Sequence, residues 1–168
     1  ANLPEISPQP YTSLSTAIFT GSDSYRIGDE WGKKAVTNDV IRSATPQFRR
    51  AALATANVGG ATGFYLGKFH GQHIMATNHH VYPSSTSCDN GSANFPLLNK
   101  RFACAEFLGT WTDIDLTLFT IEVSRAEDEA LLQQVAGNFS FHKDLYTGQT
   151  LMTMGFGVAD NSNRVLMA

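Results

Sequence analysis

Two short segments of this 168-residue chain carry side chains suited to moving a proton. The first is Ile74-Met75-Ala76-Thr77-Asn78-His79-His80-Val81, and the second is Asp113-Ile114-Asp115-Leu116-Thr117-Leu118-Phe119. A serine hydroxyl is a poor nucleophile at neutral pH. It needs a neutral imidazole to take its proton and a carboxylate to hold that imidazole in the right tautomer. Each segment offers two residues for its part. His79 adjoins His80, and Asp113 stands two positions before Asp115, where strand alternation would put both carboxylates on one face. From the residues alone both pairs of alternatives stay open.

The remaining chemistry-bearing residues point elsewhere. His70 and His73 lie close in sequence to His79 and His80, and histidine is a common metal ligand. No HExxH stretch is present, however, and neither cysteine has a CxxC partner, so no metal or cofactor is expected. Gly59-Gly60 lacks a following Gly-Lys-Thr and reads as a turn. Asn90-Gly91-Ser92 and Asn138-Phe139-Ser140 are glycosylation sequons that matter only in a eukaryotic secretory host.

The elements that must position the histidine and aspartate are β-like. Thr62–Phe69, His73–Asn78, Phe102–Gly109 and Thr117–Val123 read as short strands separated by turn residues, as in an all-β sandwich or barrel. Tyr82–Lys100 is rich in Pro, Ser, Asn and Gly and reads as a loop, and Phe48–Ala56 is a small-residue apolar stretch. Ser124-Arg125-Ala126-Glu127 has the form of a capping box and predicts a helix over Ser124–Ala136. Residues 1–27 read as an extended arm, Asp29–Lys34 as a short helix, and Gly148–Phe156 as a further strand.

Composition limits the partners. With 42% hydrophobic residues and a net charge of −3, the chain can support a core and is not disordered as a whole. A pI of 5.9 gives no basic excess for nucleic acid. No apolar run approaches the ~20 residues of a membrane span. Ser, Thr and Asn number 39 against 27 formal charges, a balance expected of a secreted or periplasmic protein. In such an oxidising compartment Cys88 and Cys104 are expected to form a bridge.

Four segments, in order, resemble the bacterial trypsin-like serine proteases of the chymotrypsin fold. Thr62-Gly63-Phe64-Tyr65-Leu66-Gly67 is similar to the strand before that family's catalytic histidine. Ala76-Thr77-Asn78-His79-His80-Val81 resembles its histidine motif, and Asp115-Leu116-Thr117-Leu118-Phe119 its aspartate motif. Gly148 through Gly157 is similar to the first strand of its second barrel. The resemblance implies a double β-barrel. Residues 1–47 would form an N-terminal arm, 48–123 the first barrel, 124–146 a connector with a short helix, and 147–168 the start of the second barrel. It favours His80 over His79 as general base and acid, and Asp115 over Asp113 as the orienting carboxylate. It is also compatible with a Cys88–Cys104 staple beside the histidine.

The departures from that family are specific. None of the thirteen serines is followed by glycine, so the Gly-Asp-Ser-Gly-Gly nucleophile motif is absent. Ala1-Asn2-Leu3-Pro4 does not match the Ile-Val terminus that activates digestive members. The chain therefore reads as the N-terminal part of a secreted serine endopeptidase acting on proteins or peptides. The serine would come from a C-terminal fragment of the same precursor that completes the second barrel, after cleavage following Ala168 by its own activity or by trimming. A catalytically inactive binding protein of the same fold is the alternative.

Overall fold

The computed structural model describes residues 35–135, 152–156 and 165–168, which all belong to one compact unit of the chain. The arm over 1–27, the helix expected at Asp29–Lys34, the Asn138 sequon and the strand start at Gly148–Leu151 lie outside the described residues.

Two short helices precede the sheet. Helix α1 (Asn38–Ser43) is capped by Thr37, whose hydroxyl accepts from Val40 N, and α2 (Pro46–Ala54) by Thr45, which accepts from Phe48 N. Pro46 occupies the first turn of α2, where its missing N–H costs nothing. Arg49 joins the two helices by donating to Ile41 O and Arg42 O at the end of α1. The cap residues thus make a helix of most of the small apolar stretch at 48–56, and the barrel begins later than 48.

Six antiparallel strands then close into a barrel in the order β1-β2-β3-β6-β5-β4. They are β1 (Thr55–Val58), β2 (Ala61–Phe69), β3 (Gln72–Thr77), β4 (Ser92–Phe95), β5 (Lys100–Trp111) and β6 (Leu116–Ile121). The β1–β2 hairpin turns through Gly59 (φ 58°) and Gly60 (φ 85°), between paired Val58 and Ala61. Two positive φ values in a two-residue loop match the right-handed twist of the strands, which explains the glycine pair. His70-Gly71 makes the same kind of turn between β2 and β3. The barrel is filled by Tyr65, Met75, Phe95, Phe102, Phe119 and Ile121 from alternate strand positions.

The 82–100 segment corrects the loop reading. It holds helix α3 (Thr86–Asp89) and strand β4, whose Ala93 and Phe95 are fully buried. Strand β4 pairs with the neighbouring β5 on one side and with β1, distant in sequence, on the other, and so closes the barrel. Cys88 of α3 is bonded to Cys104 of β5, with Cα atoms 5.2 Å apart.

Helix α4 (Ala126–Val135) follows the barrel and buries Leu132 and Val135 in its core. Asp128 N and Glu129 N both donate to Arg125 O, so Arg125, not Ser124, occupies the capping position. Glu127 pairs with Arg125 instead of reaching back to Ser124. The expected helix is present, without the capping box that suggested it. Residues 152–156 form no strand; Gly155 and Met167 make a single antiparallel bridge, and Phe156 N donates to Thr62 Oγ1 on β2. Phe156 and Leu166 pack with Val36, Ile41 and Ala52 in a second small core. Among the described residues, no helix is long and apolar enough to cross a membrane.

Candidate active site

The site forms where β3 ends and the β5–β6 hairpin turns. Thr77, the last residue of β3, is buried and donates its hydroxyl to Thr62 O. The chain then turns, with Val81 N and Tyr82 N both donating to Asn78 O, and this turn lifts His80 to the surface. Opposite it, Trp111 and Leu116 pair at the end of the hairpin, and Asp115 occupies the last position of the connecting turn. Asp115 has a φ of 50°, a left-handed conformation that aspartate tolerates better than most residues.

His80 and Asp115 meet through two bonds. The His80 backbone N–H donates to Asp115 Oδ1 at 3.0 Å, and His80 Nδ1 lies 2.8 Å from Asp115 Oδ2. The carboxylate only accepts, so the proton between them sits on Nδ1, leaving the Nε2 lone pair for a reaction partner. The His80 side chain is 69% exposed. The His80 backbone N–H holds the Asp115 carboxyl below the usual carboxylate range, helped by the His80 ring and the Asn78 amide against partial desolvation. Asn78 Nδ2 donates to Asp115 Oδ2 at 3.1 Å and to Asp115 O at 3.2 Å.

The neighbouring candidates have other partners. His79 Nδ1 lies 2.7 Å from Thr110 Oγ1, which in turn lies 2.6 Å from Thr117 Oγ1, and Thr117 donates to Tyr82 O. This hydroxyl chain ties the histidine turn to β5 and β6. Asp113 stays exposed on the hairpin turn. The geometry thus brings His80 and Asp115 together and separates them from His79 and Asp113. The disulfide fastens α3, which follows the histidine turn, to the strand leading to the hairpin. Among the described residues, no serine hydroxyl is hydrogen-bonded to His80.

A second histidine network lies on the barrel away from this site. His73 is buried, with Nδ1 2.7 Å from Tyr65 Oη and Nε2 2.6 Å from Glu129 Oε2 on α4. Lys68 Nζ reaches Glu129 Oε1 at 2.5 Å, and Lys100 Nζ lies 2.6 Å from Asp128 Oδ1. Bonding from Lys68 first, then from His73, holds the Glu129 carboxyl below its ordinary range. Burial, with Glu129 adding, pushes the Tyr65 hydroxyl up to about 12. Sequence reading grouped His73 with the other histidines and missed its partners, which come from β2 and α4. It also missed Asn78, whose only local signal is a polar residue two positions before His80.

Comparison with known protein families, with curated proteins and with solved structures finds no match to this chain.

Proposed function

We propose that this chain is the histidine- and aspartate-bearing part of a secreted or periplasmic serine endopeptidase with a chymotrypsin-like double barrel. The observation that carries the reading is the 2.8 Å bond between His80 Nδ1 and Asp115 Oδ2, made across strand ends of a closed barrel. In this reading His80 Nε2 takes the proton of a serine hydroxyl as the hydroxyl attacks the scissile carbonyl. It then returns that proton to the leaving amine, while Asp115 holds the imidazole and stabilises its protonated form. The Cys88–Cys104 bond supports the oxidising compartment.

In this reading the nucleophile and the oxyanion-binding amides are supplied from outside these 168 residues, among which no Gly-x-Ser-Gly occurs. The rest of the same precursor is the proposed partner, completing a second barrel. Among the described residues, an apolar cleft of about 660 Å³ opens between α1, α2 and the 152–154 segment, which supports such a partner. Met152 on its edge is 65% exposed.

Turnover of peptide esters and amides by the native protein tests the proposal. Asp115→Asn is expected to lower kcat by roughly 10⁴, the usual effect of losing that carboxylate. Asp113→Asn is expected to leave it unchanged. A large loss in Asp113→Asn with none in Asp115→Asn would overturn the assignment of the carboxylate.

A further inference from the structure

We propose that Asn78 is a positioning residue for the proton-transfer pair, fixing Asp115 so that one carboxylate oxygen faces the His80 ring. The inference rests on the proposed base role of His80. Its observation is separate: one side-chain amide grips both the backbone and the side chain of Asp115, donating to its carbonyl O at 3.2 Å and to Oδ2 at 3.1 Å.

Chemistry fixes the orientation of this amide. Both of its partners are pure acceptors, a carbonyl and a carboxylate, so the atom facing them must be the NH₂ group. Oδ2 then receives two donors, the His80 ring and Asn78, while Oδ1 receives the His80 backbone N–H. A carboxylate held at both oxygens cannot rotate freely about its last bond. Without Asn78, only segments of His80 itself would hold it.

The backbone needs the same support. Asp115 sits at φ 50°, and the one turn bond its own N–H makes, to Thr112 O, is long at 3.4 Å. The Asn78 bond to Asp115 O braces this left-handed residue directly. The Asp115 side chain is 45% exposed, so water competes for every acceptor, and fixed donors matter more than in a buried site. Asn78 also accepts from Val81 N and Tyr82 N, but through its backbone carbonyl, which a side-chain substitution leaves in place. The bracing role is therefore separable from the turn.

The test is nuclear magnetic resonance of the His80 ring in the native protein at neutral pH. Long-range proton–nitrogen spectra report which ring nitrogen carries the proton, and solvent exchange reports how firmly it is held. Wild type is expected to show a protected Nδ1–H, and Asp115→Asn to lose it. Asn78→Ala is expected to speed exchange of that proton ~10-fold, the change from loss of one charge-assisted bond. The His79 and Thr110 signals should stay in place. Asn78→Asp keeps the size, removes the donor and sets carboxylate against carboxylate, so it should do at least as much; it also serves if the alanine variant fails to fold. Unchanged exchange in folded variants, with wild type protected and Asp115→Asn not, would overturn the role of Asn78 and leave the base reading standing. A wild type without Nδ1–H would overturn the base reading itself.

Discussion

Removing the Tyr65 hydroxyl should cost the barrel about 2 kcal/mol, although the change deletes a single atom. Glu129 only accepts, so the His73 proton sits on Nε2 and Nδ1 is left as a bare acceptor. Its donor is Tyr65 Oη at 2.7 Å. Tyr65 is fully buried and His73 is 4% exposed, so in Tyr65→Phe water has little access to replace the lost donor. Moving the proton to Nδ1 would set the Nε2 lone pair against the Glu129 carboxylate, so neither neutral tautomer satisfies both edges. An unsatisfied buried acceptor costs roughly 1–3 kcal/mol, and the phenyl ring otherwise fills the same space. With a urea m-value of about 2 kcal/mol per molar, the midpoint should fall by about 1 M. Urea titrations followed by far-ultraviolet circular dichroism measure it. The same substitution in a His73→Leu background should be nearly neutral, because no acceptor is then left unpaired. A loss below about 0.5 kcal/mol in Tyr65→Phe, or an equal loss in both backgrounds, would refute the reasoning.

Replacing Cys88 and Cys104 by alanine opens a loop of 16-residue separation and should lower stability by about 3 kcal/mol on the chain-entropy account, read as a thermal shift against the oxidised wild type. Two reactive thiols in the denatured, unreduced wild type would contradict the bridge. Glu129 has a lowered carboxyl pKa when folded, so its bonds from Lys68 and His73 stabilise the protein above the ordinary glutamate value of 4.5, and that stabilisation is lost as pH falls through the folded value. Glu129→Gln should therefore flatten the acid limb of the stability profile below pH 4.5; an unchanged limb would show that the Lys68 and His73 pairing contributes nothing there.

The legible part of the site was the part written at strand ends. His80 and Asp115 each adjoin a short run of β-branched and apolar residues, so their elements could be drawn from local pattern. Strand β4 could not, because its four residues sit in a segment of Pro, Ser, Asn and Gly and are held by β1 and β5. Helix α2 was hidden for another reason: its start signal, Thr45-Pro46, precedes a stretch too short and small-sided to show a helical face. The helix expected after Ser124 is present, but it begins one residue later than a Ser124 cap would give, with Arg125 at the cap. Asn78 and the His73 network join residues dozens of positions apart, and single residues of common type carry no local mark of such partners.

In the proposed reading His80, held by Asp115, activates a serine carried outside these 168 residues. Labelling the native protein with a fluorophosphonate, which reacts preferentially with an activated serine, tests this most directly. Digestion and mass spectrometry would then locate the adduct. One adduct is expected, on a Gly-x-Ser-Gly serine of a polypeptide associated or continuous with this chain, and it should be lost in His80→Ala. Labelling that persists undiminished in His80→Ala, an adduct on a serine within residues 1–168, or no adduct at all would contradict it.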